Sequence, residues 1–127
     1  MNPHRAKLQW LTVLILVACL PFACSPSSQQ KAISTTLTAV NAASAAFVTF
    51  DSQHQQDIVS QATSKEAGQA ALASYRAEQT KVATLFAGAY RAIAAAATVV
   101  NSPNIDGMIA AAALVAQELQ SLGVKIP

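Results

Sequence analysis

Only four glycines and five prolines stand in 127 residues, and a single proline, Pro103, falls between Ala32 and Gly123. A chain so poor in breakers has few turns to offer, which excludes the many short strands and tight hairpins of a sandwich or barrel. Both cysteines, Cys19 and Cys24, lie near the N-terminus. The remaining hundred residues therefore have no disulfide framework, and the domain has to hold together by packing. Aromatic residues make up 6% and charged residues 11%. No basic cluster marks a nucleic-acid surface.

The little charge there is divides unevenly. Arg5 and Lys7 precede an uncharged stretch from Leu8 to Ala23, whose centre, Leu11 to Ala18, is strongly apolar. A basic start, a short apolar core and small residues before a cut are the parts of a secretory signal. The run is shorter than the ~20 residues of a spanning helix, and Pro21 interrupts it. Without Arg5 and Lys7, six basic residues face six acids (Lys31, Lys65, Arg76, Lys81, Arg91 and Lys125 against Asp51, Asp57, Glu66, Glu78, Asp106 and Glu118). The excess of two positive charges thus belongs to the leader.

Leu16-Val17-Ala18-Cys19 resembles the lipobox of bacterial lipoproteins, in which an aliphatic residue, a tolerant position and a small residue precede the modified cysteine. Pro21-Phe22-Ala23-Cys24 is the alternative, with proline where leucine is favoured. The resemblance covers only the first two dozen residues. It implies a signal peptide over 1–18 (or 1–23), palmitate and related lipid on Cys19 (or Cys24), and attachment to a membrane of the bacterial cell envelope. In a Gram-negative cell that membrane would be the outer one, facing the periplasm. Residues 19–31 read as the lipidated cysteine and a flexible tether.

Residues 32–127 are rich in alanine, glutamine and leucine, a helix-forming composition. Stripe positions, apolar except for His54 and Gln79, recur at three- and four-residue steps: Ile33, Leu37, Val40, Ala43, Phe47, Phe50, His54 and Ile58; then Leu72, Tyr75, Gln79, Val82, Phe86, Ala89, Ile93, Ala96 and Val100; then Ile105, Met108, Ala112, Val115, Leu119 and Leu122. Thr63-Ser64-Lys65-Glu66 fits a capping box with Thr63 as N-cap. Ser102-Pro103 fits an N-cap followed by proline, and Gly123 with Val124 fits a Schellman stop. The spacing predicts helices over about 30–62, 64–101 and 103–122. The fold class is all-α: an antiparallel three-helix bundle with a long two-helix hairpin tip, following the signal peptide. Residues 32–50, 78–101 and 103–122 should share the core, and 51–77 should form the thin, polar tip, held furthest from the membrane.

Candidate sites are sparse. Asp51-x-x-His54-x-x-Asp57 places two carboxylates around a histidine at helical spacing, the pattern of a weak divalent-metal face. His54 is the only histidine beyond the leader, and no serine has a nucleophile's setting, so no catalytic residues and no cofactor are read from the chain. Gln53, His54, Gln56, Tyr75 and Arg76 form the expected contact patch of the tip. Val82 to Val100 has the length of a membrane span, but Arg91 lies near its centre. The expected role is a non-catalytic, lipid-anchored helical protein that engages a protein partner or itself, with no nucleic acid or small-molecule substrate. In style the domain resembles small alanine-rich envelope and phage or prophage lipoproteins. The alternatives are a membrane-active or phage-encoded lysis or superinfection-exclusion lipoprotein, and a metal-binding helical protein.

Overall fold

The computed structural model describes residues 26–127, which form three α-helices and a short C-terminal tail. Helix α1 spans Pro26–Gln61, α2 spans Lys65–Thr98 and α3 spans Ser102–Ser121. The connections are three residues each, too short for anything but antiparallel neighbours. The signal-peptide reading and both cysteines lie outside the described residues.

The core forms where three helices overlap. Val40 and Ala43 of α1, Val82, Phe86, Ala89, Ile93 and Ala96 of α2, and Ile105, Met108, Val115 and Leu119 of α3 make one buried cluster. Val124 joins it from the tail. Alanine at the α1 and α2 positions lets the helix axes approach closely. Beyond Phe50 only Gly68 and Tyr75 are buried before Val82, because two helices alone cannot enclose a wide apolar face. The all-α antiparallel bundle and its thin tip are thus as the periodicity predicts.

The ends of the helices differ from the expected ones in instructive ways. Ser64, not Thr63, caps α2: its hydroxyl oxygen accepts from the Ala67 N–H at 3.1 Å. Glu66 then falls one position short of the capping-box partner and supplies only its charge to the first turn. Asn101, not Ser102, caps α3, its side-chain oxygen accepting from the Asn104 N–H at 2.9 Å. Helix α2 therefore stops at Thr98, and Val99 and Val100 are exposed in the turn rather than packed inward. The stop after α3 is a Schellman motif. Gly123 has φ 85°, its N–H donates to the Gln120 carbonyl, and the Val124 N–H donates to the Leu119 carbonyl.

Two further expectations are overturned. Residues 26–31 are the first turns of α1, not a flexible tether; proline suits the opening of a helix because the missing N–H would have had no partner there. Leu37, expected on the interior stripe, is exposed, because the face of α1 turned to the core runs through Ala32, Thr36, Val40 and Ala43.

Candidate functional site: the hairpin tip

The polar tip is organised around one carboxylate. Asp51 Oδ1 accepts hydrogen bonds from Tyr75 Oη at 2.8 Å and Gln79 Nε2 at 2.6 Å, and Oδ2 accepts from Gln55 Nε2 at 2.9 Å. Gln55 reaches it from one turn along α1, the spacing at which helical side chains meet. Tyr75 and Gln79 reach it from α2, so the group ties the two helices together where the third one ends. Beside it, the His54 ring lies nearly parallel to Phe50 at 5.2 Å and edge-on to Tyr75 at 4.6 Å. The Tyr75 hydroxyl is pushed above its ordinary value, chiefly by burial, and further by its hydrogen bond to Asp51 and that carboxylate's charge.

Chemically this is a clamp. Asp51 spends both oxygens inside the hairpin, and Tyr75 donates its only proton there. The residues of the expected contact patch accordingly separate: Tyr75 is buried and His54 half-buried in the seam, whereas Gln53, Gln56 and Arg76 are exposed. Asp51 and Asp57 do not converge on His54. Six residues of helix rotate the second carboxylate by about 120° from the first, so Asp57 faces outward while Asp51 turns to the seam. Among the described residues no group of three or more His, Cys, Asp or Glu side chains is placed to hold a metal ion.

The composition missed Asp51 as the hub because an acid in a polar run reads as solvated. A signal was there: Gln79 stands on the apolar stripe of α2, and a polar side chain on such a face needs a partner.

At the far end, Val59, Ala62, Ser64, Lys65, Gly68, Gln69 and Leu72 line an open cleft of about 400 Å³. Gly68 permits the close approach there, since a Cβ on it would meet Ala62 Cβ at 3.2 Å. Toward the base, Tyr90 donates to Asn41 Oδ1 at 2.7 Å, a second tie between α1 and α2. Lys81 and Glu118 pair at 2.9 Å and link α2 to α3.

One helix among the described residues, α1, is long and apolar enough by length and composition to cross a membrane. It carries no charge from Ala32 to Phe50. The stretch from Val82 to Val100 is not one helix, since α2 ends at Thr98, and Arg91 is exposed on it. No family model, no curated protein and no solved structure matches the chain.

Proposed function

We propose that this protein is a lipid-anchored, non-catalytic helical component of the bacterial cell envelope, fixed through Cys19 or Cys24 and presenting its tip to a protein partner or a second copy. The observation that carries the reading is the leader itself: a basic start, an apolar run and Leu16-Val17-Ala18-Cys19, followed within a few residues by a self-contained helical bundle. The apolar residues of α2 and α3 are already used against one another, which favours a folded, tethered domain over a membrane-active one. Insertion of Val82–Thr98 would have to expose Phe86, Ile93 and Met108 and place Arg91 in lipid at a cost of about 3 kcal/mol or more. A metal-binding role is disfavoured by the engagement of both Asp51 oxygens.

Metabolic labelling with an alkyne fatty acid tests the anchor. Wild-type chain should incorporate it, and either Cys19→Ser or Cys24→Ser should abolish incorporation. Label that persists in the double variant, or none in wild type, overturns the reading. A photo-crosslinking residue at Gln53, Gln56 or Arg76 should capture the partner in intact cells, and one at Tyr75 should not.

A further inference from the structure

The end of the bundle opposite the tip has an unusual surface. Val99 and Val100 stand side by side in the α2–α3 turn, 54% and 38% exposed. The residues around them, from Ala92 to Ile105, carry no charge. The nearest charges on α1 and α2 are both positive, Lys31 and Arg91, and both are exposed. Every acid of α1 and α2 lies at Asp51 or beyond, up to Glu78. The base of the α1–α2 hairpin is therefore apolar and cationic, whereas the tip carries charges of both signs. Asp106, one turn into α3, is the first acid above the turn.

What covers these valines follows from where the chain comes from. Helix α1 begins two residues after Cys24 and seven after Cys19, a reach of at most about 7 or 25 Å. The antiparallel order puts the α2–α3 turn at that same end. The Asn41–Tyr90 hydrogen bond fixes the register. Counting nine residues from each partner sets Val99 level with Ala32, so the first six residues of α1 extend about 9 Å past the turn. Neighbouring helix axes lie about 8–10 Å apart. A lean of roughly 45° about the start of α1 thus brings the turn down to the level of the anchor.

We infer that the α2–α3 turn is a second membrane contact, with Val99 and Val100 entering the lipid interface and Lys31 and Arg91 beside the headgroups of anionic lipids. This rests on the anchored reading above. Two exposed aliphatic residues in an uncharged turn, with Lys31 and Arg91 around them against the single acid Asp106, are what an anionic bilayer surface accommodates. The lipid then holds the protein, and the turn sets how it leans.

The test uses the full chain with Trp10→Phe, so that one introduced tryptophan is the only one present. Val100→Trp and Val59→Trp are compared, because Val59 is an equally apolar and more exposed residue (59%) at the tip. Each protein is isolated from bacterial membranes and reconstituted into phosphatidylcholine vesicles containing phosphatidylglycerol, with acyl chains brominated near the headgroup. The tryptophan at 100 should lose about half its emission or more, and that at 59 less than about a tenth. Replacing phosphatidylglycerol with phosphatidylcholine, or adding Arg91→Gln, should reduce the quenching at 100. Equal quenching at the two positions, in protein that floats with the vesicles, overturns the inference and leaves the anchor standing. Protein that does not float with the vesicles overturns the anchor, and this contact with it.

Discussion

At the scale of single residues, two side chains show opposite solutions to burying a polar atom. Asp51 is satisfied three times over. Asp51→Ala leaves Tyr75, Gln79 and Gln55 without their acceptor and should cost about 1–3 kcal/mol in urea denaturation, whereas Tyr75→Phe should cost about 1 kcal/mol. Thr36 is the reverse case: its Oγ1 is the one buried side-chain polar atom without a hydrogen bond among the described residues. The exposed threonines Thr38, Thr49, Thr80, Thr84 and Thr98 all donate back to the carbonyl four residues earlier. Thr36→Val keeps the shape and removes the stranded hydroxyl, so it should stabilise the fold by about 1 kcal/mol. A loss of stability would mean that the hydroxyl has a partner after all. The tyrosine also sets a pH dependence. The Tyr75 proton is held more tightly in the folded chain than its ordinary value of 10.0, so its stabilisation is complete below pH 10 and is lost as pH rises above it. The urea midpoint should fall between pH 9 and pH 11, and less steeply in Tyr75→Phe.

At the scale of the elements, the apolar spacing carries the helices and most of their inward faces. The boundaries were harder to read, for a physical reason. Thr63 and Ser64 are both good caps and adjacent, as are Asn101 and Ser102, and composition cannot rank neighbours that differ only in which backbone N–H they reach. The choice has consequences: moving the cap from Ser102 to Asn101 ends α2 earlier and leaves Val99 and Val100 in the turn. Ser64→Ala should therefore destabilise by about 1 kcal/mol, and Thr63→Ala by far less, in thermal melts of the full chain. The tip site was less legible than the helices. Polarity located the tip correctly, but the inward turn of Asp51 depends on the partner presented by α2, which no pattern within α1 reveals. That Val99 of the α2–α3 turn lies level with Ala32 of α1 becomes visible only once the register of the two helices is known.

At the scale of the whole molecule, burial is graded along the long axis. The base encloses Met108, Val115, Leu119 and Val82 almost completely, whereas the tip has Tyr75 and Gly68 alone. Met108→Ala should cost about 2–5 kcal/mol and lower the global melting point, the usual range for a buried methionine. Amides in 51–77 should exchange with deuterium well before those of 82–96 and 105–119, since their opening breaks few apolar contacts.

The clamp has a mechanical consequence. Pulled apart at Ala62–Ser64, the hairpin would peel open pair by pair, each step releasing little. At Asp51 two cross-helix hydrogen bonds, from Tyr75 and Gln79, and the His54–Tyr75 contact must break together. A crack that starts at the turn is therefore arrested there, short of the three-helix core. Trypsin should record the arrest as an order of cutting, with Lys65 cleaved early, and Arg76, which sits between Tyr75 and Gln79, cleaved late together with Lys81 and Arg91.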